Sequence, residues 1–476
     1  MAEYIDNSKL VPKWVPDEEV KLENGTPEWT KGLIIMQCRI SNATPEGTLQ
    51  SAVKVLDHCS EMGVNCLMVC PVNDRGIEGN GYTNLGPHTI DPKITGCDNY
   101  DDGWKVFRNF VDEAHKRNIR ILLDVISWGV LKNAPLIDEH YDWFNGEAWK
   151  NIAFDWKNEE FKKWYIDTIV NIALKTDIDG FRYDVEPHYA GYEVDWEIKS
   201  RLLGMGKKML MMSEDMNDRR DSYDIEQNGV KDSTRTFTQI YKTAIPIFVD
   251  MYNIVDCIKN GENIGSARSA RLGIGGTYRY YTNCICNHDY RLTAVNGNRL
   301  ILGYQAIMAP FIPLWYIGEE WNNPANDELL NDGILYINTI LWDKRRSGET
   351  KEFFEDIKKL IKIRRTYKEI FEYWPENHRE TNICKVSVEG TGLQSYARYY
   401  DNKAVLVIPN HTGSESQFKV SVPLEEMNMT DYKTYVVTNL LDDKVICKGG
   451  KKDILNFYIF VKPEYMGIVL VEGSNE

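Results

Sequence analysis

From residue 33 onward short apolar runs alternate with amphipathic stretches of ten to twenty residues, and this rhythm constrains the fold more than any other feature. LIIMQC (33–38) predicts a first strand, TLQSAVKVLDHCSEMG (48–63) a helix with apolar residues at three- and four-residue steps, and VNCLMVCPV (64–72) a second strand. YDDGWKVFRNFVDEAHKRN (100–118) opens with acids and closes with Lys, Arg and Asn, as a helix dipole favours, and IRILLDVI (119–126) predicts a buried parallel strand. Further strands are predicted at 178–185, 207–215, 280–289 and 311–320, and helices at 159–176 and 352–370. An eighth strand falls within 222–250, where DSYDIEQNGV and RTFTQIYKTAIPIF compete for it. Eight β/α units over about 340 residues give an α/β fold, a (β/α)8 TIM barrel with a short insertion after the third strand, about 129–157. The rival, an open doubly wound sheet, calls for a Gly-rich phosphate loop after the first strand, and the sequence has none there.

After about residue 375 the texture changes. NICKVSVEG, LQSYARYYD, KAVLVIPN, SQFKVSVPL, YKTYVVTNLL, KVICKG and YMGIVLVEG are short β segments separated by Gly, Asn and Asp. They predict a C-terminal all-β sandwich over 375–476, behind a barrel domain over 1–374.

In a barrel of this kind the chemistry gathers at the C-terminal ends of the strands. Those ends carry Asp124, then Arg182 and Asp184, then Glu214, then Asn287, His288 and Asp289. One acid there is an ordinary helix cap; several at successive strand ends are not. Arg182 and Asp184 stand two apart on a strand and face one side, so the guanidinium favours an ionised carboxylate, as a nucleophile requires. Glu214 ends the apolar run MLMMS, where desolvation favours the protonated form that a general acid needs. An ionised and a protonated carboxyl together meet the demands of glycoside hydrolysis with retention.

Four stretches in order carry a family resemblance: LLDVI (122–126), GFRYDVEPH (180–188), MSEDM (212–216) and NHD (287–289). With them the chain resembles the α-amylase superfamily, glycoside hydrolase family 13, over nearly its whole length. The resemblance implies that Asp184 is the nucleophile, Glu214 the general acid/base and Asp289 a third carboxylate that holds sugar hydroxyls. It also implies substrate-binding roles for Arg182, for His288, for Tyr82 as an aromatic platform under the sugar ring, and for His188 on the acceptor side. Asp124 is expected to be a structural acid bonded to Arg182. The chain departs from the pattern in the first stretch, where the row reads Asp124, Val125, Ile126, Ser127, Trp128, Gly129 and both the Asn and the His that the family carries shortly after its aspartate are absent. That Asn is a calcium ligand in many α-amylases, so no metal or other cofactor is expected here, and Trp128 is expected to fill the space and contact substrate. Pro187 stands where α-amylases often carry Lys. Trp143, Phe144, Trp149 and Trp321 are further candidate sugar platforms.

Composition narrows the partners. Basic residues number 56 against 71 acidic, a net charge of −15, which argues against nucleic acid or an anionic membrane and leaves an oligosaccharide or polysaccharide as the expected ligand. Ten scattered cysteines without a CxxC pair read as free thiols rather than a zinc site or disulfide framework. The N-terminal stretch lacks the basic start and apolar core of a signal peptide, and no run of 18 apolar residues occurs, so a cytoplasmic protein is expected. The leading functional reading is a retaining α-glycoside hydrolase. An α-glucan transglycosylase with the same catalytic residues and a non-catalytic carbohydrate-binding barrel are the alternatives.

Overall fold

The computed structural model describes residues 27–184, 192–214, 239–241, 280–284, 288, 298–309, 312–323, 340–372, 382–390 and 395–476. Of these, 28, 31, 192, 193, 196, 213, 214, 239–241, 280–284, 298 and 305 are described by their backbone alone.

In chain order the strands of the first domain are β1 (Ile35–Cys38), β2 (Cys66–Val69), β3 (Arg120–Ile126), β4 (Gly129–Val130), β5 (Phe144–Ala148), β6 (Asn151–Phe154), β7 (Gly180–Asp184), β8 (Leu210–Glu214), β9 (Gln239–Tyr241), β10 (Tyr280–Cys284) and β11 (Ile312–Tyr316). Eight of them close a parallel barrel in the order β1-β2-β3-β7-β8-β9-β10-β11. The strand left open between two segments is β9, three residues within RTFTQIYKTAIPIF. The predicted helices form at Val53–Met62, Tyr100–Lys116, Glu159–Thr176 and Gly348–Thr366. Asn99 and Asn158 start two of them, each side chain accepting a backbone N–H of the first turn, which supplies one of the helix's orphan donors with a partner.

Strand alternation sorts the core into two layers. Ile35, Cys66, Met68, Leu122, Leu210, Met212, Ile312 and Leu314 form one buried cluster, the filled barrel interior. Their neighbours Met36, Leu67, Val69, Ile121, Leu123, Phe181, Met211 and Trp315 belong to the larger cluster shared with the helices. Continuing the inward parity two residues toward the C-terminal end brings Gln37 after Ile35, and Asp124 after Leu122.

The insertion after β3 folds into a small antiparallel sheet, ordered β4-β6-β5, with a short helix at Pro135–Glu139. Among the described residues no helix is long and apolar enough to cross a membrane, and the seven cysteines whose side chains are described are free thiols.

The C-terminal part contains β12 (Ile383–Glu389), β13 (Ser395–Tyr400), β14 (Lys403–Asn410), β15 (Ser416–Ser421), β16 (Thr434–Asn439), β17 (Lys444–Gly449), β18 (Asn456–Val461) and β19 (Tyr465–Ser474). The ladder runs β17-β16-β19-β14-β13-β12-β15-β18. It folds over a core of its own because the first half of β12 pairs with β13 and the second half with β15. Seven of these strands fall within the predicted β segments and β18 does not: Phe457, Ile459 and Val461 point inward, but the outward Tyr458 and Phe460 are also aromatic, so no polar alternation marks the strand.

The two parts share a hydrophobic cluster that includes Ile307, Leu360, Phe371, Tyr396, Val407 and Met466. Polar side chains sew the seam. The Tyr396 hydroxyl donates to the Tyr304 carbonyl at 3.0 Å. Arg364 and Arg398 both donate to the Ala309 carbonyl at 3.2 Å, and both lie over the Phe371 ring. Burial lowers the Arg364 guanidinium to about 9.

Candidate active site

At the C-terminal end of the barrel the inward positions turn polar. Asp124 on β3 lies in register with Arg182 on β7, and Ile126 with Asp184. The Arg182 guanidinium is fully buried. One of its terminal nitrogens donates to both oxygens of Asp124, at 2.8 and 2.9 Å, and to Oδ1 of Asp184 at 2.7 Å. A buried cation between two carboxylates favours their ionised forms, since each proton taken up would forfeit a charge-assisted hydrogen bond. The other oxygen of Asp184 accepts the indole N–H of Trp128 at 3.2 Å.

The Tyr82 hydroxyl donates to Oδ2 of Asp124 at 2.7 Å, while its ring stacks on His288 with centroids 4.3 Å apart. Burial, then the Asp124 charge, pushes the Tyr82 phenol well above its ordinary value, so it keeps the proton that it donates. Gln37 fixes His288 at two points. Its amide oxygen accepts the His288 backbone N–H at 3.0 Å, which leaves the amide nitrogen to donate to Nδ1 at 2.8 Å. Nδ1 is therefore an acceptor and Nε2 carries the ring proton. Burial and the charges of Arg182 and Arg39 hold the imidazole well below its usual pKa, so it stays neutral.

His88, packed edge-on against Trp164 and Tyr100, is lowered by burial to about 4. A histidine depressed in the folded state contributes its full stability above the unfolded value, about 6.5, and loses it as pH falls through that value toward the folded one. The parent protein should therefore lose stability between pH 7.5 and pH 5, and His88→Phe should shrink that loss by about 1–2 kcal/mol. Urea midpoints at the two pH values check this; an unchanged loss in the variant counts against it.

Comparison with known proteins gives two kinds of match. No protein-family model matches the chain. Among curated proteins, malto-oligosyltrehalose trehalohydrolase of Saccharolobus solfataricus is 23% identical over 353 residues, covering 64% of this chain and 60% of that protein. An oligo-1,6-glucosidase of Saccharomyces cerevisiae is 24% identical over 220 residues, covering 35% of this chain and 37% of the relative. The chain thus spans less than two thirds of the length of these relatives. Among solved structures, an Anoxybacillus α-amylase superposes with a TM-score of 0.70 at 16% identity, over 96% of this chain and all of that one. A cyclomaltodextrinase superposes with the same TM-score, 0.70, at 15% identity, over 94% of this chain and 79% of that one. The chain is similar in sequence to these glucan-acting enzymes and shares the fold of the solved α-amylase structures.

Of the residues singled out by the superfamily motifs, the structure brings together Tyr82, Asp124, Trp128, Arg182, Asp184 and His288. Glu214 ends β8, opposite Tyr241 of β9. Its side chain lies outside the described residues, as do His188 and Asp289. Gln37 escaped the sequence reading; its signal was one amide inside the apolar run LIIMQC, at a position that is fully buried.

The aromatic candidates divide. Trp321 is fully buried, packed edge-on against His58 and beside Trp342, and Trp143 stacks on His140 beneath Trp164. Both are core residues and neither can meet a sugar face. Trp149 is 53% exposed at the β5–β6 turn, edge-on to Trp128 with centroids 5.2 Å apart. Trp128 lies in the stretch that lacks the Asn and the His of the family pattern. An indole N–H has no lone pair to offer a cation, and here it is spent on Asp184, so this position does not fit the metal.

Proposed function

We propose that the protein is a retaining α-glycoside hydrolase that acts on α-glucosides, maltooligosaccharides or α-glucans by double displacement, without a metal. The observation that carries the reading is the placement of two carboxyl residues at adjacent strand ends. Tyr183 lies opposite Ser213, so the register sets Asp184 level with Glu214 on the neighbouring strand. Adjacent parallel strands stand about 4.8 Å apart. That closeness lets both carboxyl groups reach one glycosidic bond from neighbouring strands, as a double displacement requires. The activities of the curated relatives, glucosidase, trehalohydrolase and maltogenic amylase, also support the reading, as do neighbouring structures that hold acarbose, maltose or maltotriose.

In the first step an Asp184 oxygen bonds to the anomeric carbon as the bond to the leaving oxygen breaks, and Glu214 gives that oxygen its proton. In the second step water attacks the same carbon, Glu214 takes back a proton, and the ester bond breaks to return the Asp184 carboxylate. Two inversions give net retention. Tyr82, Arg182 and neutral His288 line the subsite, and Asp289 would hold ring hydroxyls.

The assignment of the acid is tested with Glu214→Gln. An aryl α-glucoside with a good leaving group needs little protonation, so the variant should form its glycosyl enzyme within about tenfold of the parent rate, while unactivated oligosaccharides fall by about 10²–10⁴-fold. Equal losses on both substrates would remove Glu214 from the role.

A further inference from the structure

The contact between Trp128 and Asp184 is built by the insertion. Immediately after Trp128, β4 pairs antiparallel with β6, Gly129 opposite Ala153 and Val130 opposite Ile152, and the Phe154 N–H donates to the Trp128 carbonyl at 3.1 Å. Only glycine permits this approach, since a Cβ on Gly129 would run into the Ile152 carbonyl oxygen. The indole then enters a small cluster of Ile126, Ala148 and Ala153, with Tyr82 packed against it. Two alanines leave room for the largest side chain there. Ser127, one residue earlier, donates its hydroxyl to the Asp184 backbone carbonyl at 3.3 Å, and its own carbonyl accepts the Trp156 indole N–H at 2.9 Å.

Among the described residues Asp184 meets the Arg182 guanidinium on one oxygen at 2.7 Å and the Trp128 indole on the other at 3.2 Å. Both donors are buried, and each is held by groups other than Asp184. Turning the carboxylate about its last torsion would break one of the two bonds. We propose that Trp128 is a positioning residue that fixes the plane of the Asp184 carboxylate, and that the insertion sheet serves to aim it. This deepens the hydrolase reading and rests on Asp184 being the nucleophile.

An indole N–H can only donate, so the contact reports on its acceptor. In protein labelled with [15N]tryptophan, the Trp128 indole resonance is assigned by its loss in Trp128→Phe. It should then move in Asp184→Asn by more than any other tryptophan resonance, because the carboxylate acceptor has become a carboxamide. In the kinetic arm, Trp128→Phe keeps an aromatic ring and removes the donor. It should lower kcat by about 10-fold, the scale of one hydrogen bond to a charged group, and leave KM within about twofold. A Trp128 resonance that stays in place in Asp184→Asn overturns the proposal, and so does an unchanged kcat or a loss confined to KM. If the parent turned over no α-glucoside the functional reading would fail, while the resonance arm would still decide whether the contact exists. If Trp128→Phe accumulates poorly, loss of the resonance in Trp128→Tyr supplies the assignment instead.

Discussion

Asp184→Asn should abolish turnover, by at least about 10⁴-fold in kcat, the scale on which removal of a nucleophile is felt. The change is nearly isosteric, and Arg182 keeps its two-point contact with Asp124, so the fold should survive. A stability cost follows from the local geometry. The parent carboxylate accepts on both oxygens, from Arg182 and from Trp128. A carboxamide has one oxygen, so its NH2 group must face one of those donors. The unmade hydrogen bond and the donor-donor contact should cost about 1–3 kcal/mol. Chemical denaturation and initial rates on maltooligosaccharides check both halves. A folded variant with more than a hundredth of the parent activity would show that Asp184 is not the attacking group.

Arg182→Met should be the most damaging change in the site for stability. The guanidinium is fully buried between Asp124 and Asp184. Removing one partner of a buried charge network leaves the others uncompensated, at a cost of about 3–5 kcal/mol. The protein should unfold at markedly lower denaturant, or take up protons on one of the two carboxylates, and activity should fall with it. Adding Asp124→Asn to Arg182→Met removes one of the stranded charges and should recover part of the stability but none of the activity. Unfolding midpoints of the single and double variants measure this coupling. Additive costs would mean that Arg182 and Asp124 do not act as a unit.

Much of the barrel was legible because its elements announce themselves locally. The strands sit inside predicted runs, and the helix over Glu159–Thr176 begins and ends where its acidic start and terminal Lys and Thr place it. The strand β9 was not legible: at three residues its apolar content is too small to stand out from its flanks. Asp124, Arg182 and Asp184 could be read because strand parity turns residues two apart to one side. What could not be read depends on packing between distant segments. Gln37 and His288 are 251 residues apart and meet only when the barrel closes. The direction of the Trp128 indole is set by the β4–β6 pairing and by the small side chains of Ala148 and Ala153, none of which distinguishes a donor to Asp184 from a wall of the pocket. Likewise, composition flags every tryptophan equally, and only burial separates Trp321 and Trp143 from Trp149.

The central claim is that this protein cleaves α-glucosidic bonds with retention and without a metal. The most direct measurement is proton NMR of the anomeric signals during the first minutes of incubation with maltotriose, isomaltotriose, trehalose and soluble starch, in EDTA throughout. The account predicts turnover of at least one of these, with the α-anomer of the new reducing end appearing first and equilibrating later by mutarotation; trehalose alone, which releases glucose from both sides, would show an α excess. First appearance of the β-anomer would indicate a single displacement, and absence of turnover on every substrate would contradict the hydrolase reading itself.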